Sequence, residues 1–355
     1  MLFDLRPKSR REDIFDREKE FKELEESIKT YPLTLLLGIR RVGKSSILRA
    51  YLNGKPGIII DCRELYGERG HITREDLIRE LQASGSLLSK AFAKFKISID
   101  LKFLKLEPRE TSLREIFREL NEVGEKTGEF ILAFDEAQYL RFYGSRGGKD
   151  LLALFAYAYD SLSNLKIILT GSEVGLLHDF LNIGNYESPL YGRVAGEVYV
   201  KPFDKDTSIK FLKKGFDEVG INIPRDELER AVRILDGIPG WLVTFGVEYT
   251  KEGNFERAIT RTLEIAKGLI FGELKELERR SPRYMIILQA VALGYNRWSL
   301  IRDYLAIKGY KTPEPRLLEL LKNLKKMGWI EEKDETYYLT DPVVSIILKG
   351  QKVNS

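Results

Sequence analysis

Residues 38–45 read Gly-Ile-Arg-Arg-Val-Gly-Lys-Ser, two glycines five apart followed at once by a lysine and a hydroxyl. That spacing suits the cradling of nucleotide phosphates. Gly38 and Gly43 let the backbone turn tightly and approach an anion with no Cβ in the way. The backbone N–H groups of Ile39, Arg40, Arg41, Val42, Gly43, Lys44, Ser45 and Ser46, with the positive end of the helix that follows, are expected to converge on the phosphates. Lys44 can reach the β and γ phosphates, and the Ser45 hydroxyl can ligate Mg²⁺. A second group closes the apolar run Phe130–Phe134 with Asp135-Glu136. Asp135 is expected to hold Mg²⁺ through water, opposite Ser45, and Glu136 to polarise the attacking water as general base. An acidic pair at a strand end is, taken alone, also what a solvated turn presents. Downstream of a phosphate loop it reads as the hydrolytic half of the site.

Two further strand-end features belong with these. Thr170-Gly171-Ser172 follows the next apolar run, and its hydroxyls can sense the γ-phosphate, cap the next helix, or do both. Arg193 stands just before the fifth strand. There it can stabilise charge on the transferring phosphoryl group, an effect worth ~10³–10⁵ in rate where it operates, or form a surface salt bridge.

The elements that must position these residues follow from hydrophobic periodicity. Short apolar strands are expected at 33–37, 57–61, 130–134, 166–170 and 197–200, with helix patterns at 18–28, 46–52, 73–82, 112–123, 150–160 and 174–181. Strands alternating with helices read as an α/β domain, a parallel sheet covered on both faces. Residues 95–103 alternate apolar and polar and read as one more strand, and the Gly-rich basic stretch 141–149 as a loop. Beyond Pro202 the pattern is helical to Arg280, a candidate lid. Three helices at 283–293, 298–307 and 314–327, then short strands at 329–331 and 337–339, describe a winged helix. The expected domains are 1–202 for nucleotide binding, 203–280 for the lid and 281–355 for the winged helix.

Bulk properties narrow the class. The hydrophobic content of 43% supplies real cores, yet no apolar run approaches the ~18–20 residues of a membrane span. No membrane association is expected. The first residues, MLFDLRPKSRRED, lack an apolar stretch with a cleavage site. Cys62 is the single cysteine, and a chain that cannot form an internal disulfide suits a reducing cytoplasm. His71 and His178 stand alone, so no zinc site is expected. The net charge of +4 lies entirely in residues 281–355, which hold 12 basic and 8 acidic side chains.

Together the octet, the Asp-Glu strand end, Thr170-Gly171-Ser172 and Arg193 resemble the AAA+ class of P-loop ATPases. More closely, the chain resembles the archaeal Walker-type ATPases allied to the STAND signalling ATPases, with kinship to archaeal origin-recognition ATPases. The resemblance takes in Phe15-Asp16-Arg17-Glu18 and Gly237-Ile238-Pro239-Gly240. It implies that Ile14 and Phe15 flank an adenine, that the segment with Arg17 helps close that pocket, and that Pro239 touches the base from the lid. The sequence departs from the AAA+ pattern in two places. No asparagine follows the fourth strand, and Trp241, not an arginine, follows the Gly-x-Pro-Gly of the lid. The second departure favours a slow switch over a fast motor. No Asn-Lys-x-Asp sequence is present, so ATP or ADP is the expected nucleotide, not a guanine nucleotide.

Three functions stay open at this point. The first is an ATP-hydrolysing regulatory switch, with nucleotide between the α/β domain and the lid driving the winged helix. The second is an ATP-controlled DNA-binding protein, an initiator, mobile-element helper or transcription regulator. It would use Arg316, Lys322, Lys325 and Lys326 of helix 314–327, against the repulsion of an acidic wing tip, Glu331-Glu332-Lys333-Asp334-Glu335. The third is a non-catalytic scaffold that holds ADP and assembles with a protein partner or with its own copies.

Overall fold

The computed structural model describes residues 1–93, 101–109 and 111–350. The chain divides into two compact units, one of Pro7–Gly38 and Lys44–Val200, the other of Met1–Arg6, Ile39–Gly43 and Lys201–Ser355.

The first unit is built on five parallel strands, β1 (Leu33–Leu37), β2 (Gly57–Asp61), β3 (Phe130–Asp135), β4 (Leu165–Gly171) and β5 (Gly196–Tyr199), in the order β2-β3-β4-β1-β5. β1 and β3 are buried along their whole length, which is why their sequences are apolar apart from Thr34 and Asp135. The edge strand β5 alternates, Gly196 and Val198 inward, Glu197 and Tyr199 outward. The helices are α1 (Glu18–Thr30), α2 (Lys44–Leu52), α3 (Cys62–Arg69), α4 (Arg74–Ala93), α5 (Leu113–Thr127), α6 (Lys149–Ser161) and α7 (Val174–Leu181). α5 shows how they dock: Ile116, Phe117 and Leu120 line one face and are fully buried. Each such side chain contributes ~1.5–3 kcal/mol relative to an exposed one.

The sequence reading places no helix at 62–69. α3 forms because the Asp61 carboxylate caps it, accepting from the N–H groups of Arg63 at 3.0 Å and Glu64 at 3.1 Å. The strand expected over 95–103 falls mostly on residues 94–100, which lie outside the described ones. At its described end Leu101 is extended but the strand does not continue: Lys102–Lys105 form a 3₁₀ turn that buries Phe103.

The second unit is helical up to its wing. It runs α8 (Lys205–Glu218), α9 (Arg225–Leu235), α10 (Pro239–Glu252), α11 (Phe255–Arg280), α12 (Pro282–Ala292), α13 (Trp298–Ile307) and α14 (Glu314–Lys326). The antiparallel hairpin β6 (Ile330–Lys333) and β7 (Thr336–Leu339) follows, and then α15 (Pro342–Gly350). The winged helix is therefore as expected, with one addition. α15 buries Val343, Val344, Ile347 and Leu348 beneath it. Met1–Arg6 belongs to this unit through Phe3, which is 3% exposed and packs edge-on against Phe216 at 4.8 Å. A Cβ on either Gly215 or Gly246 would come within 2.3 Å of the Phe3 ring, so both glycines make room for it.

Candidate nucleotide site

Sheet order explains the site. β4 lies between β1 and β3, so the octet leaving β1, the hydroxyls leaving β4 and the acids leaving β3 meet at one carboxyl edge. The register sets Leu37 beside Gly171 and Asp61 beside Asp135. The Ser45 hydroxyl donates to Asp135 Oδ2 at 2.7 Å. Thr170 Oγ1 donates to the other oxygen of Asp135 and accepts from the Glu136 N–H at 2.9 Å. Ser172 donates to Glu136 Oε2 at 2.5 Å. These hydroxyls therefore serve the two acids. They do not cap α7, whose N-cap is Glu173 and carries no side-chain cap bond.

The loop has the backbone its glycines were expected to allow. Gly38 has φ 152° and Gly43 φ 103°, and Arg41, at φ 68°, takes a left-handed conformation that costs a non-glycine residue ~1–2 kcal/mol. Val42 is buried. Lys44 is only 4% exposed, and its ammonium donates to the Gly38 carbonyl at 2.8 Å. Ser46 accepts from the Lys8 N–H at 3.1 Å.

The two acids differ electrostatically. Burial raises the pKa of Asp135, hydrogen bonds from Thr170 and Ser45 oppose this, and the charges of Glu136 and Asp61 add to it. For Glu136, burial is also the largest single influence and acts upward. The charges of Lys44 and Arg63, with hydrogen bonds from Ser172 and Gln138, outweigh it and bring the group down to about 2. Two donors and a cation converge on the same oxygen, Oε2: Ser172 and the Gln138 amide at 2.5 Å each, and the Arg63 guanidinium as an ion pair at 3.7 Å. Glu136 is itself left-handed, with φ 53°. Strain of this kind persists only where the surroundings hold the residue in place.

Gln138 and Arg63 are absent from the sequence-level site. Gln138 is fully buried two residues past Glu136, in the 3₁₀ turn Ala137–Phe142, and Arg63 rides the first turn of α3 off the end of β2. Only the Asp61 cap at a strand end signals the latter in the sequence. Arg193 gives its guanidinium to Asp160, at 3.0 Å from Nε and 2.5 Å from Nη2, and to the Pro189 carbonyl at 2.7 Å. Ile14 follows the 3₁₀ turn Arg11–Asp13, with Phe15 half-buried beside it. Arg17 is the buried N-cap of α1, paired with Glu20 at 2.6 Å. In the second unit Pro239 opens α10, and the N–H of its neighbour Gly240 donates to the Arg41 carbonyl at 3.0 Å.

The residues present suit Mg²⁺ and a polyphosphate. Ser45 and Asp135 offer hard oxygen donors 2.7 Å apart. Burial and the neighbouring acids Glu136 and Asp61 raise the Asp135 pKa, which a bound cation would oppose, and the Lys44 ammonium lies at the Gly38 carbonyl inside the loop.

A parallel sheet with this loop, these acids and a trailing winged helix defines a Walker-type P-loop ATPase. The chain belongs to the family described as an ATPase domain predominantly from Archaea, whose model matches residues 14–245. Residues 278–340 match the C-terminal winged helix-turn-helix domain of MCM proteins. A Walker-type ATPase of Pyrococcus abyssi is 74% identical over 98% of this chain and 100% of that one, with a TM-score of 0.97. The ORC2 protein of Aeropyrum pernix, solved as ADPNP–ADP complexes, shares the fold at 13% identity, with a TM-score of 0.63 over 98% of this chain and 97% of that one. An uncharacterized protein of Methanocaldococcus jannaschii is 26% identical over 213 residues, 56% of this chain and 45% of that protein. The chain thus spans less than half the length of this curated relative. No described helix is long and apolar enough to cross a membrane.

Proposed function

We propose that the chain is a regulatory switch of AAA+ type, allied to the STAND ATPases, that binds ATP with Mg²⁺ and hydrolyses it slowly. The observation that carries this reading is the convergence of Ser172, Gln138 and Arg63 on one oxygen of Glu136. The acid that would polarise water is present at the sheet edge, yet its charge is already satisfied. A carboxylate stabilised so far is a weak base, which suits a protein that dwells in one nucleotide state.

In this reading Gly38 through Ser46 cradle the phosphates, Lys44 moves from the Gly38 carbonyl to the β and γ oxygens, and Ile14, Phe15, Arg17 and Pro239 attend the adenine end. Ser45 and Asp135 would hold Mg²⁺, which when bound neutralises charge on the phosphates. Thr170 keeps Asp135 turned toward Ser45, and Glu136 orients the attacking water through Oε1. Arg193 acts on the transferring phosphoryl group only after leaving Asp160. Residues 1–202, 203–280 and 281–355 are the nucleotide, lid and winged-helix portions.

Single-turnover hydrolysis and equilibrium nucleotide binding test it together. Lys44→Ala is expected to lose nucleotide binding. Glu136→Gln is expected to bind ATP normally and slow hydrolysis by ~10²–10⁴. Wild-type turnover by Glu136→Gln would remove the base from the scheme.

DNA control through the winged helix is a second reading, supported by the MCM-type match and by the exposed Lys322. Against it, Arg316 is paired with Glu319 at 2.6 Å and Lys325 with Glu332 at 2.5 Å. Binding across a salt series decides it, since real phosphate contacts give a log–log slope of about −0.9 each.

A further inference from the structure

The phosphate-loop pattern requires glycines, a lysine and a hydroxyl. It does not require the two arginines between them, and their side chains do something else. Arg41 Nη2 lies 2.6 Å from Glu273 Oε1, and Arg40 Nε lies 3.5 Å from Oε2 of the same carboxylate. One acid, on α11, therefore holds both. Arg40 Nη1 also donates to the Met327 carbonyl at 3.4 Å, and its guanidinium lies over the Trp329 ring at 5.4 Å. The Arg41 guanidinium lies over Trp241 at 4.5 Å, and the Trp241 indole N–H donates to Asp341 at 2.9 Å. Met327, Trp329 and Asp341 all belong to the winged helix. α11 runs into that domain with only Ser281 before α12.

The loop backbone is held as well. The Gly240 N–H bonds to the Arg41 carbonyl, and a Cβ at 240 would stand 2.8 Å from the Arg41 Cβ. Arg41 is thus kept left-handed, at φ 68°, by contacts from α10 and α11. The three charged side chains are 16%, 18% and 24% exposed. Pairs this sheltered interact more strongly than surface ion pairs.

We propose that Glu273 is a positioning residue for the phosphate loop, and that through Arg40 and Arg41 it makes nucleotide occupancy and winged-helix packing sense each other. The inference rests on the nucleotide reading of the octet and adds the route by which occupancy is communicated. Phosphates bound by the loop N–H groups fix the φ and ψ of residues 39–43. The same dihedrals aim the two guanidinium groups at Glu273, Trp241 and Trp329. A loop conformation that suits phosphate but not these partners, or the reverse, gives a coupling free energy that acts in both directions.

The tryptophans supply the readout. The chain has three, and two of them are the rings under these arginines. In a Trp298→Phe background, emission reports Trp241 and Trp329 alone. MgADP and MgATP are titrated while equilibrium dialysis with radiolabelled nucleotide measures occupancy independently. We expect the emission change to saturate with occupancy. Glu273→Ala should abolish it and shift nucleotide affinity about fivefold or more. Arg41→Lys keeps the charge and loses the planar fork, and should give an intermediate response, which guards against a misfolded Glu273 variant. Nucleotide binding with unchanged emission overturns the inference, as does a full response in both variants. Dialysis showing no nucleotide bound to the unaltered protein overturns the nucleotide reading itself, and the inference with it.

Discussion

Arg63 is expected to restrain hydrolysis, and the size of that restraint follows from its geometry. Its guanidinium sits 3.7 Å from Glu136 Oε2, and its side chain is 49% exposed. Two unit charges at that distance attract by ~1 kcal/mol at the dielectric of water and ~4 kcal/mol at an effective value of 20. Half exposure puts this pair near the lower figure. Removing the charge should therefore raise Glu136 from about 2 by roughly 0.7 units, at ~1.4 kcal/mol per unit. The group stays fully ionised at neutral pH, so the ionised fraction does not change and only the basicity rises. A general base strengthened this much should speed the chemical step by roughly two- to threefold. Arg63→Gln, assayed by single-turnover ATP hydrolysis, should show that gain with no change in nucleotide affinity. The gain should be flat from about pH 6 to 8, because Glu136 does not titrate there. A tenfold fall in rate would refute the reasoning, since Arg63 would then be contacting the reacting groups.

Two further predictions concern the scaffold. The wing turns on Asp334 and Glu335, both left-handed at φ 48° and 57°, in a two-residue hairpin turn that favours Asn-Gly. Glu335→Gly should therefore stabilise the winged helix by ~1 kcal/mol in denaturant melts, and a loss of stability would show that the carboxylate makes a contact worth more than the strain. Phe3→Ala leaves a hole between Gly215 and Gly246. It should cost ~3–5 kcal/mol, measured as a lowered unfolding midpoint, and a cost below ~1 kcal/mol would mean that the first six residues contribute little to the second unit.

The parts of the site that the sequence disclosed are those whose chemistry fixes both residue type and spacing. Gly38, Gly43, Lys44 and Ser45 are adjacent in the chain and Asp135-Glu136 ends an apolar run, so no tertiary information is needed to find them. Thr170 and Ser172 were legible as hydroxyls at a strand end, but their choice between acid and helix cap depends on β4 lying between β1 and β3. The Arg193–Asp160 pair joins residues 33 apart, and no local pattern ties them. α15 is not legible in the sequence because Val-Val-Ser-Ile-Ile-Leu is rich in β-branched residues. Its helix forms because tertiary packing outweighs propensity.

The departure at Trp241 has a different meaning once the contacts are known. The sequence shows only that the lid lacks an arginine after its Gly-x-Pro-Gly. In the structure the ring at that position carries an arginine nonetheless, Arg41 at 4.5 Å, supplied by the phosphate loop. Cation and aromatic attract, so the lid position that lacks an arginine holds one that the loop supplies. The contact has a mechanical consequence. An arginine on the lid would answer to phosphate charge directly. An arginine on the loop answers to loop conformation, and it does so while gripped by Glu273 beside Arg40. Under the coupling proposed above, such an arrangement would respond to occupancy of the loop more than to the chemistry of the γ-phosphate, as the proposed switch requires.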